Sequence, residues 1–377
     1  VKIPRPEADR FYEPVETDGI RPGHLFRMRQ VEVQTGVESS ACQVVYSSIG
    51  VRGETIPVSG TILQPLADWT GPGTRPIVSY GVLARGLTRN AAPSYAMRRG
   101  IEFELPLIEL ALSQGWSVAV TDGVGLGMPG PHSYCAGRPG GHAMLDIVRA
   151  ISRTDLVGND APVLLWGYSE GGRYATWAAE LQPTYAPELN VRAIAAGGVP
   201  ADLYQVAKAL DGGPFSAINL AVTVGLIHAY GSSVLGHVLN KQGHAAAAHA
   251  KTLDIAALIR AYPQELRHHM HCDDAWDTPM WRSLLARERH GRVKPDAAVF
   301  LYHANNDAVV PVQQARELYD RYVALGADVT WSTTPAEDHF TGTFQAGPAA
   351  VCWLKQQLDR RQAHFPEQHL HLRHDAS

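Results

Sequence analysis

The stretch that decides the fold is Val163-Leu164-Leu165-Trp166-Gly167-Tyr168-Ser169-Glu170-Gly171-Gly172. Val163 to Trp166 are apolar without interruption, as in a parallel strand covered on both faces. Gly167-Tyr168-Ser169-Glu170-Gly171 follows without a gap, and Tyr174, Trp177, Ala178 and Leu181 then recur at helical spacing. Gly-x-Ser-x-Gly alone is a weak pattern, and an ordinary glycine-rich turn is the competing reading. The strand before it and the helix after it favour a nucleophile elbow. Such a turn brings the residues two before and two after the serine together, where a Cβ would clash. It strains the serine, exposes its hydroxyl and sets it at a helix N-terminus, where free N–H groups favour negative charge.

Outward from this stretch the chain alternates strand and helix. Phe26 to Val33, Cys42 to Ser48 and Ile56 to Leu63 read as an antiparallel lead-in, preceded by a Pro-rich segment over 1–24. Pro76 to Tyr80, Trp116 to Val120 and Val191 to Ala196 read as further strands. Helices fall between them at Leu107 to Gln114, ending at Gly115, and around Met144, Ile147, Val148 and Ile151. From Pro200 to about Pro295 the alternation is lost, with helical patches such as Ala246 to Ile259. It resumes with a strand at Ala298 to Tyr302 and a helix carrying Ala315, Leu318, Tyr319 and Tyr322. A strand at Asp328 to Ser332 and a closing helix at Ala349 to Leu358 follow. The expected class is α/β, a mainly parallel central sheet with helices on both faces and an inserted helical cap. The core would comprise 1–199 and 296–365, the cap 200–295, and 366–377 a polar, mobile tail.

The 377 residues are 45 % hydrophobic and 19 % charged, with a net charge of −4. That is ordinary globular composition with room for a large core. No basic block stands out, so nucleic acid is not an expected partner. No eighteen-residue apolar run occurs, so no transmembrane segment is expected; the apolar stretch Ala217 to Tyr230 is broken by Asn219, Thr223, Gly225 and His228. The opening Val1-Lys2-Ile3-Pro4-Arg5-Pro6 lacks the signal-peptide pattern. Cys42, Cys135, Cys272 and Cys352 show no zinc spacing, and their even number permits an oxidising compartment without requiring one.

A serine hydroxyl needs a base to take its proton and a carboxylate to orient that base. After the strand at 298–302 comes His303-Ala304-Asn305-Asn306-Asp307, and Asp307 is the candidate acid; the alternative is a cap for the following helix. After the strand at 328–332 comes Glu337-Asp338-His339-Phe340, and His339 is the candidate base. Asp296 precedes its strand and Asp338 adjoins the histidine, so both are weaker acids. The oxyanion hole needs two N–H donors. Glu170 supplies one, and Ala84 or Arg85, on the loop after the strand at 76–80, supplies the other. The Glu170 carboxylate is expected to turn away, to a partner such as Arg173, or to be protonated by burial. The substrate-binding candidates are Tyr80, Tyr168, Phe215, Leu220 and Phe340. The apolar run Phe215 to Ile227 either lines the acyl or alcohol pocket or packs the core.

Two other patterns are set aside. Gly125-Leu126-Gly127-Met128-Pro129-Gly130 has dinucleotide-binding spacing, but Pro129 and Pro131 forbid the helix that would hold a pyrophosphate. His268-His269-Met270-His271-Cys272-Asp273 lacks helical i, i+4 ligand pairing, so no metal is expected.

Over residues 9 to 358 the sequence resembles the secretory lipase family. The likeness is carried by Phe11-Tyr12-Glu13-Pro14, Ala92-Pro93-Ser94-Tyr95, Gly125 through His132, Gly167 to Gly172, Tyr185 to Asn190, Gly212-Gly213-Pro214-Phe215, Asn306-Asp307 through Pro311, and His339-Phe340. The resemblance implies an α/β-hydrolase with a helical lid, secretion, and action on small-molecule or lipid carboxylic esters without a cofactor. It also implies the Ser169, Asp307, His339 order. The chain departs from the family around the oxyanion. Val82-Leu83-Ala84 stands where bacterial relatives carry a His-Gly-Thr-type loop, and Arg85 where the fungal pattern has an acid. Ala91 stands in place of a cysteine, which removes a family disulfide, and Glu170 in place of Gln or Gly. The expected activity is ester hydrolysis through an acyl-enzyme. The alternative is a cytoplasmic acyltransferase of specialised metabolism using the same intermediate, and an intact triad argues against a non-catalytic binding module.

Overall fold

The computed structural model describes residues 3–152, 154, 157–231, 235–336 and 338–362; the segment 366–377 lies outside the described residues. Among the described residues nine strands form one sheet in the order β1-β2-β3-β5-β4-β6-β7-β8-β9. They are β1 (Leu25–Val31), β2 (Ser39–Ile49), β3 (Thr55–Pro65), β4 (Ile77–Gly81), β5 (Ser117–Thr121), β6 (Val163–Tyr168), β7 (Val191–Gly197), β8 (Ala298–Ala304) and β9 (Val329–Thr334). The first three pair antiparallel, and β3 pairs antiparallel with β5. From β5 to β9 every pairing is parallel.

The side-chain period of two explains why β6 reads as an unbroken apolar run. Val163 and Leu165 enter the core layer on one face with the helices Gly137–Ile151 and Glu170–Tyr185. Leu164 and Trp166 enter the layer on the other face, with Leu105–Leu112 and the closing helix. Both faces are covered, so neither can be polar.

Between β7 and β8 the described residues supply helices and no strand of the sheet. These helices are Leu203–Leu210, Ala217–Tyr230, Lys241–Ala250, Ile255–Ala261 and Pro279–Arg287. They enclose their own apolar cluster, in which the Trp276 and Trp281 rings stack 5.7 Å apart. Ala84, Leu87 and Tyr134, from loops of the sheet domain, complete that cluster. The insertion therefore sits on the loops that leave the carboxyl ends of the strands.

Two helix expectations need correction. Ala246 to Ile259 is two helices, separated where Asp254 caps the second by accepting from Ala257 N–H at 2.8 Å. The closing helix spans His339–Gln362, well before Ala349. Asp338 nucleates it by accepting from Phe340 and Thr341 N–H at 2.8 Å each, and Pro348 is tolerated inside.

Candidate active site

The elbow is built by steric exclusion. Ser169 sits at φ 57° and ψ −120°, a strained conformation for a residue with a side chain. A Cβ on Gly171 would lie 1.9 Å from the Gly81 carbonyl oxygen, and one on Gly167 2.4 Å from the Gly171 carbonyl carbon. The helix Glu170–Tyr185 starts directly after the serine, so its first N–H groups converge beside the hydroxyl.

Asp307 lies in the turn after β8. Its Oδ1 accepts from the N–H groups of Val309 and Val310 at 2.9 and 2.8 Å, and its Oδ2 accepts from His339 Nδ1 at 2.6 Å. The turn-capping role and the contact with His339 coexist. His303, on β8 and fully buried, was not singled out from the sequence. Its Nε2 donates to the Val310 carbonyl at 2.8 Å and lies 3.2 Å from Asp307 Oδ2. Burial alone would raise the Asp307 pKa. The hydrogen bonds from His303 and His339 outweigh it and hold the carboxyl well below the ordinary value. A histidine four residues before the acid on the same strand end was the available signal.

Ser169, Glu170, Ala84 and His339 line one cavity. Its walls are otherwise almost entirely aliphatic. Ile218 and Val222 come from one helix of the insertion, Ile255 and Ile259 from another, and Val309 and Val310 from the turn after Asp307. Each of the two helical pairs is spaced i, i+4, so each presents one face inward. Phe340 also lines the cavity, and Phe215 packs against its ring at 6.3 Å.

Three substrate-binding candidates lie elsewhere. Tyr80 belongs to the opposite core layer, where its hydroxyl donates to Glu104 at 2.8 Å. Leu220, midway between Ile218 and Val222, turns into the core of the insertion. The Tyr168 ring packs beneath the elbow against Tyr302 and His339 rather than lining the cavity.

The loop after β4 is organised by a buried carboxylate. Glu104 accepts from Leu83 N–H at 2.9 Å, from Arg85 Nη2 at 2.7 Å and from Tyr80 Oη. The same guanidinium pairs with Glu102 and stacks 4.0 Å from the Phe103 ring centroid. Burial raises the Glu104 pKa, against the lowering effect of Arg85. The Leu83 N–H is therefore engaged, and Ala84 rather than Arg85 faces the cavity.

The Glu170 carboxylate does not meet Arg173, whose Nη2 donates to Glu288 Oε2 at 2.6 Å. It accepts from Cys135 N–H at 2.9 Å and from Tyr174 Oη, with His132 Nε2 3.5 Å away. Burial favours its neutral form. Nearby His132 and the Tyr174 and Cys135 donors outweigh burial and hold its pKa below the ordinary value, opposite to the direction burial alone would give.

The segment from Gly125 to Pro131 forms turns and no helix. Among the described residues no group of His, Cys, Asp and Glu is arranged to hold a metal, and none of the helices is long and apolar enough to cross a membrane. All four cysteines are free.

A mainly parallel sheet with a strained serine between strand and helix at its carboxyl edge defines an α/β-hydrolase. The family model described as secretory lipase matches residues 79–364, and the chain belongs to that family of carboxylic ester hydrolases. It is 28 % identical over 370 residues to a probable inactive lipase of Mycobacterium tuberculosis, covering 93 % of this chain and 81 % of that one. To a secreted triacylglycerol lipase of Malassezia furfur it is 29 % identical over 374 residues, covering 90 % and 76 %. Among solved structures, Candida antarctica lipase A in its closed state matches with a TM-score of 0.86 at 24 % identity, covering 95 % of this chain and 87 % of that one. The rice cell wall degrading esterase LipA of Xanthomonas oryzae matches with a TM-score of 0.74 at 21 % identity, covering 90 % and 99 %.

Proposed function

We propose that the protein hydrolyses apolar carboxylic esters through an acyl-enzyme on Ser169. His339 takes the serine proton and returns it to the leaving alcohol, while Asp307 holds the imidazole and stabilises its charge. The N–H groups of Glu170 and Ala84 receive the oxyanion; Leu83 is unavailable because Glu104 occupies it. The insertion over 200–295 acts as a cap whose aliphatic faces receive the acyl or alcohol chain. The observation that carries this reading is the Asp307–His339 hydrogen bond of 2.6 Å, with His339 and Ser169 on the wall of one aliphatic cavity. The named secretion of the Malassezia relative and of the family supports export.

One relative is described as probably inactive, so the test must begin with the nucleophile. A fluorophosphonate should label the protein at Ser169, and Ser169→Ala should abolish both labelling and cleavage across a p-nitrophenyl ester chain-length series. Absence of the adduct ends the hydrolase reading. Product analysis with an added alcohol separates hydrolysis from acyl transfer.

A further inference from the structure

The loop between β5 and the helix Gly137–Ile151 places His132 inside the protein, 3 % exposed, against the residue that follows the nucleophile. Its Nδ1 lies 2.6 Å from the Val124 carbonyl oxygen. A carbonyl only accepts, so Nδ1 carries a proton. Its Nε2 is buried, without a hydrogen-bond partner inside 3.5 Å, and faces Glu170 Oε1 at that distance. A bare nitrogen lone pair opposite a bare carboxylate oxygen would be repulsive, so a proton lies between them. Two other donors, Cys135 N–H and Tyr174 Oη, already converge on the same carboxylate oxygen and favour its ionised form.

We propose that His132 is a positioning residue for ester cleavage, acting through Glu170: its positive charge neutralises the carboxylate carried by the oxyanion-donating residue. This rests on the reading of Ser169 as nucleophile and Glu170 N–H as donor. An unpaired carboxylate in the cavity wall would oppose the negative charge that develops on the substrate oxygen, and a dry site magnifies such opposition. The other ionisable groups around the pair do not take over this role. Arg173 is committed to Glu288, Cys135 and Tyr134 on the same loop are buried thiol and phenol, and Tyr174 is a neutral donor to Glu170.

The test compares His132→Asn, Glu170→Gln and the double variant on a short p-nitrophenyl ester, with kcat expressed per fluorophosphonate-titrated site. His132→Asn should lower kcat on the order of tenfold to a hundredfold with KM little changed. The double variant should recover roughly tenfold over His132→Asn, since no carboxylate remains to be neutralised. A double variant no faster than His132→Asn overturns the proposal. If His132→Asn fails to fold, His132→Gln takes its place in the same comparison. A wild-type protein that takes no fluorophosphonate refutes the nucleophile reading instead, which is a separate outcome.

Discussion

The two sides of the cavity are held by different kinds of contact. On the proposed acid–base side, Asp307 takes its donors from Val309, Val310 and His303, all within four residues, and only His339 comes from further along the chain, at the start of the closing helix. On the proposed oxyanion side most supports are distant, Tyr174 beside Glu170 being the local one. Glu104 reaches back to Leu83 and Arg85, and Glu170 reaches to Cys135 and His132. The insertion adds backbone bonds to the same loop: Ile255 N–H donates to the Arg85 carbonyl at 3.0 Å, and Leu87 N–H to the Leu253 carbonyl at 3.0 Å. A local turn can form from its own sequence, whereas the oxyanion loop takes shape only when three parts of the chain have met. Changes on the first side should therefore injure chemistry while leaving the backbone of the turn in place, and changes on the second should disturb the backbone as well.

The largest expected effect is on the local side. Asp307→Asn should lower kcat by about 10⁴-fold, because an amide nitrogen toward Nδ1 selects the wrong imidazole tautomer. The turn should survive, since the amide oxygen can still accept from Val309 and Val310. The variant also carries a pH signature. The folded Asp307 pKa is depressed, so its contribution to stability is complete above the ordinary value of 3.8 and is lost as pH falls below it toward the folded value. Urea denaturation of wild type and variant should converge in acid and separate above pH 4; a constant difference would contradict the linkage.

Gly171→Ala comes next and strikes where the two sides join. Its Cβ would enter the backbone of β4 at Gly81, which cannot yield without opening the sheet. A loss of about 4 kcal/mol or more is expected by urea denaturation. On the distributed side, Arg85→Met should cost about 3–5 kcal/mol, since Glu102 and Glu104 would remain buried without their cation. Unlike Asp307→Asn, which leaves its turn in place, it should disturb the backbone of the loop that carries Ala84, lowering stability and kcat together. An Arg85→Met protein as stable as wild type would break the contrast.

The same division governs what the sequence discloses. Asp307 and His339 could be singled out because each follows a strand of recognisable pattern and sits within its own turn. The elbow was visible because its glycines are required by contacts two residues away. Glu170 points to Arg173 on sequence spacing, yet Arg173 is claimed by Glu288, 115 residues further on. That competition is decided by tertiary packing, and nothing in either stretch records it. The cavity wall was partly encoded: Ile218/Val222 and Ile255/Ile259 carry same-face spacing, and attention to that period would have excluded Leu220. The early start of the closing helix was hidden because Gly342, Gly347 and Pro348 are poor helix formers. It is held there by the Asp338 cap.

The smallest expected effect sharpens the contrast most. Asp254 caps the helix Ile255–Ala261, and its backbone bridges Gly86 in the oxyanion loop. Asp254→Ala removes the side-chain acceptor for Ala257 N–H and leaves the backbone bonds on either side in place. Loss of such a cap costs about 1 kcal/mol, and Asp254→Asn should recover most of it. Because Ile255 and Ile259 line the cavity from this helix, a looser first turn should raise KM for long acyl esters more than for short ones. The oxyanion donor, still fixed by Glu104, should keep kcat for the short ester near that of wild type. If kcat falls for every ester alike, the insertion is shaping the oxyanion loop itself, and Glu104 alone does not determine its geometry.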